Sequence, residues 1–208
     1  MKIPPHESKP RLVLYEPRHL IHNVATHLFE EHGWDVFDVR GDMFIEDFCS
    51  IADKSTLVAL GITGTGQNII QLLHAIHRLS SMSYQIVVWQ PWQDNTFKKF
   101  LTAIGVRHIF TESTLYEDLT DFAAARYLPV CWSEQSRNQL RKRLTDNELA
   151  ILLDISNGMS IANIANVRRC SIKTVHSLKR NARTRIGLEI RELLDISFRI
   201  SQIQSINF

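Results

Sequence analysis

The sequence predicts an α/β doubly wound domain followed by an all-α domain, and three observations carry that reading. Between Arg11 and Ala125, short apolar runs of strand character alternate with segments of helical period. Between Leu144 and Leu188, three helix-start signals, Thr145, Ser160 and Ser171, follow one another closely. The charge divides in the same way. Met1 to Ser136 holds 11 Lys and Arg against 16 Asp and Glu, net −5, and Arg137 to Phe208 holds 13 against 6, net +7, which together give +2. An acidic half is poorly suited to nucleic acid and a basic half is well suited to it.

At 208 residues and 44% hydrophobic, the chain can build one large core or two small ones. The three cysteines, Cys49, Cys131 and Cys170, have no metal-type spacing, and an odd, unpaired count fits a reducing compartment. Cys170 reads as a small buried hydrophobe, with a redox switch as the alternative. No charged-then-apolar leader opens the chain and no apolar run reaches the ~18 residues of a membrane span. A soluble, cytoplasmic protein that does not enter a membrane is expected. The nine histidines form no H-E-x-x-H or similar constellation, so no metal, cofactor or catalytic residue is expected. His22, His27, His74 and His77 are placed at helix surfaces.

In chain order, residues 1–10, with Pro4, Pro5 and Pro10, read as a flexible arm. The sheet domain spans 11–125. Strands are expected at Arg11–Tyr15, Trp34–Val39, Thr56–Leu60, Gln85–Trp89 and Arg107–Phe110. Helices are expected at His19–His32 with Leu20, Val24, Leu28 and Phe29 inward, near Phe44–Ala52, at Asn68–Leu79 with Ile69, Leu72, Leu73 and Ile76 inward, at Phe97–Ile104 and at Leu115–Ala125. Five strands alternating with helices imply a parallel, flavodoxin-like sheet covered on both faces. Residues 126–143, ending in Arg141-Lys142-Arg143, read as a linker, and 144–208 as the second domain.

That second domain reads as a helix-turn-helix. Thr145 and Glu148 form a capping-box pair for a first helix closed by Gly158. Ser160 starts a second, carrying Ile161, Ile164 and Ala165 with Val167 at its edge, and after the turn Val167–Cys170, Ser171 starts a third. At 100° per residue, Ile172, Val175, Leu178, Ala182 and Ile186 fall on one side of the third helix. Lys173, His176, Ser177, Arg180 and Thr184 fall on the other, with Arg183 at the flank. A face of donors and positive charge with small outward residues suits a DNA major groove; a solvated basic face on an ordinary helical hairpin is the alternative. Beyond Gly187, Glu189–Gln204 reads as a fourth helix. Ile190, Leu193 and Leu194 turn inward on it, and Ile196, Ile200 and Ile203 form a second stripe that the small domain leaves uncovered.

The run Leu144-Thr145, Glu148, Leu152, Gly158, Ser160, Ile164-Ala165, Ser171-Ile-Lys-Thr-Val175 and Ile186-Gly187-Leu188 resembles the LuxR-type (GerE-like) helix-turn-helix of bacterial transcription factors of the NarL/FixJ response-regulator class. Ser171-Ile172-Lys173-Thr174, followed by a Lys-Arg pair, makes it most similar to the RcsB/BglJ group. Many relatives have His in place of Leu178 and Lys in place of Arg185. The resemblance implies His176, Ser177 and Arg180 at base edges, with Lys173, Thr174, Arg183 and the basic linker end on phosphates. It also implies a fourth-helix dimer contact, here Ile196, Ile200 and Ile203.

By the same resemblance the first domain would be a phosphoryl-accepting receiver, and its residues do not fit. Receivers use an acidic pair after the first strand, an aspartate after the third, a hydroxyl after the fourth and a lysine after the fifth. This chain has Glu16 and Pro17, then Gly61, then Trp89-Gln90, then Thr111-Glu112. A pseudo-receiver follows, with Glu16 an ordinary polar residue at a strand end, Trp89 in or near the former pocket and Gly61–Gly66 a flexible loop over it. A Gly-rich loop after a strand also raises nucleotide binding, although two strands precede it and the next carboxylate is Asp94. The expected function is a DNA-binding transcriptional regulator acting as a homodimer, or as a heterodimer with another LuxR-type regulator, with RNA polymerase a further candidate partner. The alternatives are a nucleotide-binding protein and a protein-interaction adaptor with a vestigial DNA-binding domain.

Overall fold

The computed structural model describes residues 9–39, 48, 56–125, 143–188 and 190–205. The expected arm before Lys9, the helix near Phe44–Ala52 apart from Phe48, Cys49, Cys131 and the linker 126–142 lie outside them. So do the side chains of Ile190, Leu193 and Leu194.

Strands β1 (Arg11–Tyr15), β2 (Asp35–Asp38), β3 (Leu57–Gly61), β4 (Gln85–Gln90) and β5 (His108–Thr111) form one all-parallel sheet in the order β2-β1-β3-β4-β5. This is the doubly wound arrangement the alternation predicts, with its order reversal at β1/β3. Helices α1 (His19–Glu31) and α4 (Leu115–Ala124) cover one face, meeting Leu12, Leu14, Leu57, Ala59, Val87 and Trp89. Helices α2 (Ile69–Ser81) and α3 (Asn95–Ala103) cover the other, meeting Val13, Val58, Leu60, Ile86 and Val88. Adjacent residues of each strand therefore feed opposite cores, as the period of two requires, and both faces being covered explains the unbroken apolar runs.

The stripe expected on α1 is corrected. Leu20 and Val24 are 72% and 43% exposed, and the buried residues are His22, Ala25, Leu28 and Phe29. The expected stripe spans half the helix circumference, and the sheet takes the half centred on Ala25 and Phe29. A ring at His22 is tolerated there because its Nε2 meets Asp38 at 2.6 Å. His77 on α2 is buried as well, so these two histidines do not lie at helix surfaces; His27 and His74 do.

After the linker come α5 (Asp146–Ser156), α6 (Ile161–Val167), α7 (Ile172–Ile186) and α8 (Ile190–Ser205). Each start signal read from the sequence caps its helix. Thr145 and Glu148 make a full capping box, with Thr145 N–H donating to Glu148 at 2.8 Å and Glu148 N–H to the Thr145 hydroxyl at 3.3 Å. The Ser160 hydroxyl accepts from Asn163 N–H and that of Ser171 from Thr174 N–H. A cap of this kind contributes about 1 kcal/mol. Gly158, at φ +78°, closes α5, where Gly158 N–H reaches Ile155 and Met159 N–H reaches Asp154.

The four helices do not stand apart from the sheet domain. Leu149, Leu152, Leu153, Ala182, Ile186, Ile196, Ile200 and Ile203 belong to the same apolar cluster as α2 and α3, while Ile151, Ile164, Ala165 and Val175 form a small core of their own. Ile196, Ile200 and Ile203 are all buried, so the stripe expected to be uncovered is covered within the chain, where α8 packs both on α5 and on α2, α3 and the Gly66–Asn68 turn of the sheet domain. Sequence periodicity shows that α8 has two apolar sides. It carries no information about which surface meets the second.

Candidate functional site

Two places merit the term. The first is the outer side of α7. Its inner side is fixed by Val175, Ala182 and Ile186, all buried, with Leu178 half-buried. Ile172, expected inward, is instead 52% exposed at the first position of the helix. On the opposite side Lys173, Thr174, His176, Arg180 and Thr184 are exposed, and Ser177 and Arg183 half-buried. Docking of the helical domain on the sheet domain leaves this row of donors open to solvent.

The helix is held rigidly behind that face. Arg185 Nε donates to Glu148 at 3.0 Å, tying the capping box of α5 to the last turn of α7, and Gly187 (φ +73°) ends α7 with Leu188 N–H on the Arg183 carbonyl. The turn between α6 and α7 has the same form, with Cys170 N–H on the Ala165 carbonyl, but the left-handed residue is Arg169 at φ +51°, exposed. Sequence reading passed over Arg169; its signal is a basic residue in the slot where glycine is usual. Arg168 is engaged with Asp154 at 2.5 Å. Cys170 is half-buried rather than buried as expected, and lies against the small core of Ile151, Ile164, Ala165 and Val175. Arg143, the described end of the basic linker, donates to the His77 carbonyl and points at the sheet domain instead of outward beside α7.

The second place is the carboxyl edge of the sheet at the β1/β3 switch point, where ligands of doubly wound folds bind. Here the chain's own side chains occupy it. The Glu16 carboxylate is buried and accepts four bonds: from Arg18 N–H at 2.9 Å, Arg18 Nε and Nη2 at 2.8 Å each, and Trp89 Nε1 at 2.7 Å. Arg18 Nη1 extends to Glu112 at 2.8 Å, and the Thr63 hydroxyl donates to the same carboxylate. Burial alone would lower the Arg18 pKa; its bonds to Glu16 and Glu112 outweigh that and raise it, so the guanidinium is a permanent charge. Gly61 pairs with Trp89 across the strands, and a Cβ there would lie 2.1 Å from Glu16 Oε2 and 2.8 Å from Trp89 Nε1.

Glu16 is thus the hub of an ion network, not an ordinary strand-end residue, and Arg18, unmentioned by any motif, is its cation. Pro17 separates them, exposed and without an N–H to give. The Gly61–Gly66 loop also departs from expectation. Ile62, Thr63, Thr65 and Gly66 are buried, Ile62 N–H donates to the Trp89 carbonyl at 3.3 Å, and Thr65 returns its hydroxyl to the Ile62 carbonyl at 2.7 Å. These bonds tie down the loop, and the backbone N–H groups of Ile62, Thr65 and Asn68 all point to internal carbonyls. No group of three or more metal-type side chains occurs, and no helix is long and apolar enough to cross a membrane, among the described residues.

No family model matches the chain, and no curated protein matches it significantly. Solved structures do. A complex of the two-component response regulator RcsB with DNA is 19% identical, with a TM-score of 0.55 over 91% of this chain and 98% of that one. RcsB from Salmonella enterica serovar Typhimurium, bound to promoter rprA in the presence of the phosphomimetic BeF3-, is 16% identical, with a TM-score of 0.51 over 92% of this chain and 99% of that one. Both likenesses run through the sheet and the helices together, so the chain has the fold of these two structures, a receiver-like α/β domain followed by a helical domain.

Proposed function

We propose that this protein is a bacterial, cytoplasmic, sequence-specific DNA-binding transcriptional regulator whose receiver-like domain takes no phosphoryl group. The observation that carries the reading is the division of α7. Val175, Ala182 and Ile186 are locked inward, and Lys173, Thr174, His176 and Arg180 stand outward in one row on a helix capped at both ends. Arg, His and Ser side chains on such a row can donate to guanine or other base edges while Lys173 and Thr174, at the helix start, reach phosphate. The matched RcsB structures were solved with DNA, which supports assigning this face to DNA.

The switch-point cluster supports the second half. A phosphoryl group needs a nucleophile, a metal held by free carboxylates and a cation for its oxygens. Gly61 supplies no nucleophile, the Glu16 carboxylate is already filled by four donors, and the fifth strand leads into Glu112. Control then falls to the amount of protein and to its pairing, as a homodimer or with another LuxR-type regulator, RNA polymerase being a further candidate partner. Ile196, Ile200 and Ile203 can serve that pairing only when α8 leaves the sheet domain.

The test is a titration of the full chain with a mixed duplex pool at several salt concentrations. Affinity that falls steeply, with a log–log slope of about −0.9 per phosphate neutralised, supports the reading. An absence of salt-dependent affinity would leave a protein-interaction adaptor, and saturable thermal stabilisation by a nucleotide would favour the loop.

A further inference from the structure

Helix α8 is seated on the sheet domain by an apolar stripe and a polar latch. Ile196, Ile200 and Ile203 are buried in the same apolar cluster as Ile62, Ile69, Phe97 and Phe100, and α8 packs against α2 and α3 of the sheet domain as well as against α5. Arg199 Nε donates to Asp94 at 2.8 Å and its guanidinium lies 5.1 Å from the centre of the Trp92 ring; Lys99 and Glu192 pair at 3.5 Å. The Asp94 carboxylate also caps α3 by accepting from Phe97 N–H at 2.9 Å, so one side chain both starts the helix and holds the latch.

The other part of the seat is the turn Gly66–Asn68, against which α8 also packs. That turn ends the loop whose beginning is fixed by the switch-point cluster. Arg18 grips Glu16 and Glu112, Glu112 holds the Thr63 hydroxyl, and Ile62 and Thr65 carry the constraint to Asn68, whose N–H donates to the Thr65 carbonyl at 3.0 Å. An unbroken chain of hydrogen bonds and covalent links therefore runs from the ion network to the surface under α8.

We propose that Thr63 and Glu112 are positioning residues for the docking of α8: the fixed charges of the switch-point cluster hold the Gly61–Asn68 loop in the shape that seats the fourth helix. This rests on the reading of that cluster as permanently filled, and it does not depend on DNA recognition. The Glu112 carboxylate is 25% exposed, so loss of its bond to Thr63 leaves it hydrated rather than stranded. The loop is then free to shift without an uncompensated buried charge, and the sheet keeps its own ladder.

Hydrogen exchange of the full chain without DNA tests this. Thr63→Val removes the hydroxyl and keeps the branched shape; Thr63→Ser keeps the hydroxyl; Arg199→Ala breaks the latch directly. Thr63→Val should speed exchange of the Ile196–Ser205 amides about tenfold, as expected for losing a hydrogen bond to a charged group. Strands β1, β3 and β4 should stay protected. Thr63→Ser should behave as wild type, and Arg199→Ala should match or exceed the change of Thr63→Val. The proposal is overturned if Thr63→Val leaves α8 at its wild-type rate while Arg199→Ala releases it. It is equally overturned if the strands lose protection together with α8, or if neither variant moves α8. None of these readouts involves DNA, so they stand or fall separately from the DNA-binding reading.

Discussion

Gly61 lies so close to Glu16 that the smallest side chain at residue 61 would place its Cβ 2.1 Å from a carboxylate oxygen already holding two donors. The packing around residue 61 therefore leaves no room for any side chain as it stands. Gly61→Ala should destabilise the fold by about 1–3 kcal/mol through overpacking, read from urea unfolding. Gly61→Asp should cost more, since a second carboxylate would face Glu16, and intact mass after incubation with acetyl phosphate should show no added phosphoryl group. An aspartate variant that folds normally and becomes phosphorylated would mean that the cluster opens readily.

Arg169 occupies a left-handed position at φ +51° in the turn before α7. Glycine there avoids a steric penalty of about 1 kcal/mol, so Arg169→Gly should raise the unfolding free energy by that amount. The same change removes an exposed cation beside the start of the outer row, and should weaken binding to all duplexes alike while flattening the salt dependence by about one phosphate. Thermal unfolding and salt titrations on one preparation would separate the two effects. A less stable variant would mean that the Arg169 side chain is held by the protein itself.

His77 joins the two domains, with Nε2 2.8 Å from the Leu144 carbonyl and Nδ1 3.1 Å from Asp146. Burial first, and then the Arg143 charge, push its pKa below the ordinary 6.5 against the opposing pull of Leu144 and Asp146. The Asp146 side chain is 94% exposed and can turn to water, so burial decides. His108 shifts the same way, burial again being the main cause. A histidine with a depressed folded pKa stabilises fully above about pH 6.5 and loses that contribution as pH falls below it, because the unfolded chain takes the proton first. The melting temperature should therefore drop between about pH 7.5 and 5.5, and less so in His77→Gln, where the difference from wild type isolates this one ring. Equal slopes in the two proteins would remove His77 from the account.

The fold was largely legible because its signals are local. Alternation of period gave the sheet, and hydroxyls at Thr145, Ser160 and Ser171 cap the helices they announce. What escaped reading depends on residues far apart in the chain. Arg18 becomes the cation of the switch-point cluster only because β5 brings Glu112 beside it, a separation of 94 residues. Ile196, Ile200 and Ile203 read as an uncovered stripe because part of the surface that buries them belongs to the sheet domain, far away in the sequence. Likewise, nothing at His22 announces that Asp38 will meet it and allow it inside.

The outer row of α7 makes the central claim, and base selection tests it most directly. In a selection from randomised duplexes, wild type should enrich a defined site, and Arg180→Ala should enrich an altered one, with the original site weakened by about 1–3 kcal/mol. Lys173→Ala should keep the wild-type preference and bind every sequence more weakly. If Arg180→Ala returns the wild-type profile unchanged, α7 does not read bases through this row and the account is contradicted.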